Sequence, residues 1–254
     1  MRVEHIYRYP VKGLTAEALA ETRLDPGETV PGDRKFALAH GDAPFDEARP
    51  AWLQKRHFAC LMANERIAAL HASWDERRGV LLIHAPGAAP FAGDTTTAEG
   101  RAAIAATLAA FLGSEARGTP RFVAADGHSF CDHRNKVVSL INLASLADLE
   151  RAMGRSLDPL RFRANVYFSG APAWAEFGWI GRRIELGAAT LSITARIDRC
   201  AATQVNPVTA RRDCDPVAGL RQAFGHADLG VYARVEEGGR VAVGDAIVLR
   251  EDEC

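Results

Sequence analysis

The sequence predicts a mainly β protein with a few short helices, folded as two lobes with barrel-like sheets. Three observations predict it. Short extended runs follow one another closely, separated by Pro, Gly and Asp turn residues, a rhythm that fits a barrel-like sheet better than βαβ winding. Helical periodicity is confined to a few short stretches. Gly118-Thr119-Pro120 breaks the chain near its middle, which sets the lobes at residues 1–120 and 121–254.

The elements follow in order. Val3 to Tyr9 reads as the first strand, stopped by Pro10. Ala18 to Leu24 is a second extended run, closed by Asp25-Pro26-Gly27. Pro31-Gly32-Asp33-Arg34 turns the chain before the strand Lys35 to Ala39, and residues 40–51 are a loop rich in Pro, Asp and Ala. Ala68 to Trp74 and Gly79 to His84 read as strands paired across Asp75-Glu76-Arg77-Arg78. A turn-rich stretch then leads into a helix in which Ile104, Leu108, Phe111 and Leu112 recur at helical spacing and Gly113 makes the stop.

In the second lobe Arg121 to Ala124 and Val137 to Ile141 read as strands, and Leu143 to Met153 as a helix ended by Gly154. Asp158-Pro159 and Asp215-Pro216 each place a capping carboxylate before a proline at the first helical position. The second pair starts a helix from Val217 to Phe224, ended by Gly225. Phe162 to Val166 reads as a buried strand with Arg163 and Asn165 on one face. Leu191 to Ile197 is a further strand, Trp174 to Trp179 a packed corner, and the tail from Gly230 to Leu249 a hairpin turning at Gly238-Gly239.

Composition narrows the function. A chain of 254 residues with 48% hydrophobic content forms a sizeable core without staples. The net charge of -1 gives no global case for nucleic-acid or membrane binding, although local basic clusters can hold a small anion. No apolar run reaches membrane-spanning length, and the start of the chain lacks the apolar core of a signal peptide. Five scattered cysteines, Cys60, Cys131, Cys200, Cys214 and Cys254, point to free thiols and a reducing, cytoplasmic setting. Their spacing matches no zinc or iron–sulfur pattern, and there is no glycine-rich dinucleotide or Walker motif.

The chemistry concentrates at Arg199-Cys200. Cys200 ends a strand-like run and opens a turn, with Arg199 before it and Arg211 and Arg212 after it. Positive charge beside a thiol favours the thiolate, the form that attacks or binds a soft metal; a small structural thiol is the plain alternative. Three more motifs pair a cation with a turn: Pro10-Val11-Lys12-Gly13, Gly32-Asp33-Arg34 and Arg161-Phe162-Arg163-Ala164-Asn165. On a buried strand Arg163 and Asn165 need partners, which a phosphate, a heteroaromatic ring or a carboxylate would supply. Cys131-Asp132-His133 has the residue types of a catalytic cluster, but neighbours on a strand point apart, so it is set aside. His128 and Ser129 have no hydrolase context.

Taken in order, Pro10-Val11-Lys12, Gly32-Asp33-Arg34, Ala144-Ser145-Leu146, Arg161 to Asn165, Arg199-Cys200 through Pro207, Leu229 to Tyr232 and Val243-Gly244-Asp245 resemble the MOSC domain family with its N-terminal β-barrel domain. The resemblance spans nearly the whole chain. It implies a molybdenum cofactor in a cleft between the lobes, with Cys200 as metal ligand and catalytic centre. It implies that Lys12, Arg34, Arg163, Asn165 and Arg199 hold the pterin and its phosphate, and that Ser145 also lines the site. The implied activity is an oxidoreductase that takes oxygen from N-hydroxylated or N-oxide-type small molecules. Electrons would come from a separate donor protein, since the chain carries no cluster or flavin motif. The alternative is a sulfur carrier or cofactor-delivery protein using a Cys200 persulfide. Four positions depart from the family pattern: Gly13 for serine, Asp198 for a small or hydroxyl residue, Asn206 for aspartate and Ala210 for glycine.

Overall fold

A computed structural model describes residues 1–250; Cys254, counted above among the free thiols, lies outside the described residues. The first strand, β1 (Arg2–Arg8), buries Val3 and Ile6, a spacing of three that a bulge between Val3 and His5 makes possible. The extended run after it divides into β2 (Glu17–Leu19) and β3 (Glu21–Leu24), and β4 (Phe36–Ala39) is buried throughout. A three-stranded meander follows: β5 (His71–Asp75), β6 (Val80–His84) and β7 (Phe91–Asp94). Helix α1 (Ala98–Leu112) starts where the Thr97 side chain accepts from the Gly100 amide and ends at Gly113. Its Ile104, Leu108 and Leu112 pack with Phe36, Trp74, Leu81 and Phe122.

Strand β8 (Arg121–Ala124) hydrogen-bonds antiparallel to β4. Beyond it run β9 (Val138–Asn142), α2 (Leu143–Met153) and β10 (Val166–Ser169), and β10 lies parallel to β9. Asn142 caps α2 by accepting from the Ala144 amide. Then come β11 (Arg183–Leu186), β12 (Ala189–Asp198), α3 (Pro216–Phe224), β13 (Asp228–Glu237), β14 (Gly239–Ala242) and β15 (Ile247–Leu249). Eight strands form one curled, half-barrel sheet in the order β15-β11-β12-β13-β9-β10-β1-β2. One core, with Val3, Phe168, Leu191 and Val231, fills it, and a second, with Leu149, Tyr167 and Leu220, lies under α2 and α3.

Among the described residues the fold is mainly β with three short helices, in line with the mainly β protein with a few short helices that the sequence predicts. Three local expectations are corrected. Phe162 to Val166 is not a buried strand: Pro159 after the Asp158 cap starts a 3-10 turn over Pro159–Phe162, Arg163 takes a left-handed φ of 52°, and extended backbone begins only at Val166. The tail is not a hairpin at Gly238-Gly239. Both edges of β13 are already paired, to β12 and β9, so β14 crosses to β3 and β15 to β11. Ala68 to Trp74 is not one strand, because Glu65–Ala69 forms a 3-10 turn and extension starts at His71.

One glycine sets how closely β13 approaches β9 beside Arg199. Gly230 has φ +81°, and a Cβ there would lie 2.4 Å from the Leu140 carbonyl oxygen and 3.3 Å from Arg199 Nη2. Backbone cannot give way as a flexible side chain can. Gly230→Ala is therefore expected to destabilise the fold by about 3 kcal/mol. Urea unfolding checks this; a change within 0.5 kcal/mol of zero (the usual ~0.5 kcal/mol scatter of surface substitutions) would contradict it.

Candidate functional site

A cavity of about 380 Å³ opens between the two halves of the chain. The first half contributes turns and loops, and the second adds strand residues, Ser139 of β9, Arg196 of β12 and Tyr232 of β13, to its own turns. Lys12 follows β1, where Val11 bridges to Phe36 of β4 and the Lys12 amide donates to the Phe36 carbonyl at 2.8 Å. Arg34 ends the Gly32-Asp33-Arg34 turn with a left-handed φ of 48°. Arg163, at φ 52°, ends the 3-10 turn before β10. Two bulky residues in this sparsely populated region mark stored backbone strain at the site.

Tyr9 organises the floor. The guanidinium carbons of Arg34 and Arg163 each lie 4.3 Å from its ring centroid. The buried Asp33 accepts from the Tyr9 amide at 2.8 Å and from Arg34 Nη1 at 2.5 Å. Arg34 Nη2 donates to the Arg163 carbonyl at 2.8 Å, and Arg163 Nη1 to the Leu14 carbonyl at 2.6 Å. Arg163 Nη2 is buried with no acceptor. Burial lowers the pKa of both guanidiniums, but for Arg34 the Asp33 charge and hydrogen bond together with Tyr9 and Cys131 outweigh it, and the net shift is upward. Arg163 has no such counterion; burial and then repulsion from Arg34 bring it down to about 10.

The remaining cations differ in how far they are engaged. Lys12 donates to the Phe130 carbonyl at 2.8 Å and pairs with Asp132. Arg199 directs Nε and Nη2 to the Leu229 carbonyl and Nη1 to that of Phe162, so its nitrogens grip backbone. Burial lowers its pKa. Asn165 is likewise engaged: Oδ1 accepts from Ser139 N and Oγ, and Nδ2 donates to Tyr7 O, tying β9, β10 and β1 together. Ser145 lies outside the cavity. It is fully buried and donates to Glu176, whose pKa burial pushes up.

Cys200 opens onto the cavity as the residue before a 3-10 turn, its carbonyl accepting from the Thr203 amide and hydroxyl. The cation facing it is Lys55, which the sequence reading missed. Burial works against the Lys55 charge, but Cys200 and Asp132 outweigh it and raise its pKa. Arg212, expected beside the thiol, instead binds Glu65 at 2.6 Å and the carbonyls of Ala201, Leu61 and Met62. It fastens the Cys200 loop to the first half of the chain.

Cys131-Asp132-His133, set aside on sequence grounds, lines the cavity. It is a loop, so the alternation of strand side chains does not apply. Against burial, which raises it, Lys12, Lys55 and Arg34 lower the Asp132 pKa. Cys60 also lines the cavity, and burial raises the pKa of both Cys60 and Cys131. Neither Lys55 nor Asp132 sits in a periodic pattern; the one signal available was their loop position, shared with many surface residues. In all, seven lysines and arginines line the cavity against three aspartates. A chain of net charge -1 thus gathers positive charge around a cavity that holds Cys200 and Cys131, both partly exposed, and buried Cys60.

Two of the departures from the family pattern have a structural account. Gly13 has φ +87°, and a Cβ there would lie 2.7 Å from Ile67 Cδ1 and 3.3 Å from the Ala59 carbonyl oxygen. Ile67 occupies the space a serine would need. Asn206 Nδ2 donates to Asp213 Oδ2 at 2.8 Å, a bond an ionised aspartate at 206 cannot make. Asp213 also accepts from Arg161 Nη2 at 2.6 Å. Against desolvation, which raises it, the Asn206 and Arg161 bonds hold the Asp213 pKa down to about 2. Ala210 sits at a left-handed φ of 53°, and nothing in the structure explains alanine there.

Comparison with known proteins agrees with this architecture. Residues 1–126 match the MOSC N-terminal beta barrel domain and residues 124–248 the MOSC domain. Human mitochondrial amidoxime-reducing component 1 is 30% identical over 124 residues, which cover 43% of this chain and 36% of that protein. The mouse protein of the same name is 28% identical over 124 residues, covering 43% of this chain and 35% of its own. The match thus spans about a third of these relatives' length. The solved YuaD protein from Bacillus subtilis aligns over 97% of this chain and 93% of its own, with 18% identity and a TM-score of 0.49. The chain belongs to the MOSC family, with the N-terminal β-barrel domain preceding the MOSC domain.

Two outcomes are expected. Ala210→Gly relieves the left-handed strain and stabilises the protein by about 1 kcal/mol, whereas Gly13→Ser destabilises it by about 2 kcal/mol; paired urea titrations read both signs. Asp213 has a folded pKa near 2 against an ordinary 3.8. Its contribution is complete above about pH 4 and fades as pH falls toward 2. The stability gap between the wild type and Asp213→Asn is therefore expected to shrink over that window, and a pH-independent gap would contradict it.

Proposed function

We propose that this MOSC-family chain is a molybdenum-cofactor oxidoreductase that removes oxygen from N-hydroxylated or N-oxide-type small molecules, using electrons from a separate donor protein. The observation that carries the reading is the cavity itself: a reachable thiol ringed by cations in excess of their counterions. The named activity of the amidoxime-reducing relatives supports the same chemistry.

The residues present fit an anionic pterin cofactor. Arg163 keeps a buried donor without an acceptor, Arg34 stacks beside it, and the volume of about 380 Å³ is in the range of cofactor pockets. Bound there, the cofactor supplies a two-electron centre able to accept an oxygen atom. Cys200 offers the soft sulfur ligand. Lys12, Arg34 and Arg163 hold the anionic groups, which replace the missing counterion of Arg163. Lys55 keeps positive charge beside Cys200. Arg199 and Asn165 act at one remove: with their polar atoms on backbone and Ser139, they hold the cavity wall that would face a bound cofactor.

Metal and pterin analysis of the protein, purified from a host with intact cofactor synthesis and then denatured, tests the reading. Molybdenum and pterin near one per chain are expected, with Cys200→Ala losing most of the metal and Arg163→Met lowering pterin retention. Reduction of a benzamidoxime-type substrate with an artificial electron donor should follow metal content. Absence of both molybdenum and pterin would overturn the assignment. A second reading, sulfur carrier or cofactor delivery, is favoured by Cys60 and Cys131 lining the same cavity. Mass spectrometry showing one added sulfur on Cys200, without molybdenum, would select it.

A further inference from the structure

Behind the Cys200 loop lies a second cavity of about 430 Å³. Leu14, Leu61 and Ala72 line one side and Leu160, Val205 and Val208 the other. Arg161 and Arg163 border both cavities, so two guanidiniums form part of the partition between them. Cys200, Lys12 and Arg34 border only the first.

The chemistry of this second space is specific. Its exposed wall is mainly apolar, with Leu, Val and Ala side chains, Tyr9 and Pro207, which suits an apolar body and not a sugar or polyphosphate. Arg161 is only 4% exposed, and its Nε is buried with no acceptor. Its other nitrogens are already engaged, by the carbonyls of Thr203 and Gln204 and by Asp213. A buried charged donor lacking a partner is unfavourable, and a ligand oxygen would restore the bond. Two guanidiniums exclude a cation. The one carboxylate in the lining, Asp158, is engaged as a cap, accepting from the Leu160 amide at 2.8 Å. His71 and His84, opposite each other on β5 and β6, stand exposed at the edge.

We propose that this cavity is a binding site for a small carboxylate with an apolar body, of the size of a medium-chain fatty acid. The carboxylate lies at the Arg161–Arg163 partition, and the chain packs on Leu14, Leu61, Ala72, Leu160 and Val205. The site lies outside the Cys200 cavity but shares Arg163 with the cofactor assignment. Its occupant touches Val205, Pro207 and Val208 in the loop that follows Cys200, and also Arg163, so occupancy is felt at the first cavity.

Octanoate is the probe, titrated calorimetrically into the full chain, with octanol as the uncharged control. Saturable binding with a submillimolar Kd is expected, and octanol should bind about tenfold more weakly or worse. Ala72→Phe fills the cavity, and Val208→Glu sets a like charge at its rim, where Val208 is 79% exposed and folding does not depend on it. Neither residue borders the first cavity. Each variant is expected to weaken octanoate about tenfold. No saturation at millimolar octanoate, equal affinity for octanol, or unchanged affinity in Val208→Glu or in folded Ala72→Phe would overturn the proposal.

Discussion

The structure turns on a single shortage: Asp33 is one carboxylate between two arginines. It accepts from Arg34 and from the Tyr9 amide, and Arg34 in turn holds the Arg163 carbonyl. The Tyr9 hydroxyl donates to Ala164 O. These bonds lock three turns together, after β1, before β4 and before β10, and so join the two halves of the chain across the cavity. The same bonds leave Arg163 without an anion. Folding has therefore left an unmet donor, Arg163 Nη2, beside the cavity.

That shortage separates residues with donors left free from residues whose donors are spent on the protein itself. Arg199, Asn165, Lys12 and Arg163 look equivalent in sequence, since each is a polar group near a strand end. In the fold, Arg199 caps the carbonyls of Leu229 and Phe162, and Asn165 stitches three strands. Removing either would unsettle backbone first and any ligand second. Arg163 is the reverse case, since a single bond to Leu14 O leaves much of its guanidinium unengaged. Lys55 and Asp132 extend the charged ring toward Cys200.

What the sequence made legible is what local chemistry decides. Gly113 ends α1, Gly154 ends α2, and Asp215-Pro216 and Gly225 bound α3, because capping needs only near neighbours. Pairing of β14 with β3 joins residues more than two hundred positions apart, and no local signal encodes it. The strand expected at Phe162 to Val166 failed because alternation of polar and apolar residues looks the same in a turn that threads between a core and a cavity. Lys55 and the Cys131-Asp132-His133 loop escaped notice for a related reason: their placement comes from tertiary packing alone. Ser145 shows the converse, a motif residue whose hydroxyl is engaged by buried Glu176.

The departures from the family pattern are best understood as coupled rather than as separate losses. An ionised aspartate at position 206 would face Asp213 with like charge; asparagine instead donates to it, and Asp213 then grips Arg161. Arg161 holds the carbonyls of Thr203 and Gln204, in the turn that begins at Cys200. Asn206 is thus compatible with a firmly held cysteine loop, since it supplies a bond where the usual residue would need a proton. Gly13 fits the same logic on the opposite wall, where Ile67 has filled the space of the missing side chain. Asp198 carries its negative charge at the cavity edge, yet Arg199 takes its bonds from backbone carbonyls. That carboxylate therefore neither holds nor displaces Arg199, and it lies in a cavity whose lining has more lysines and arginines than aspartates.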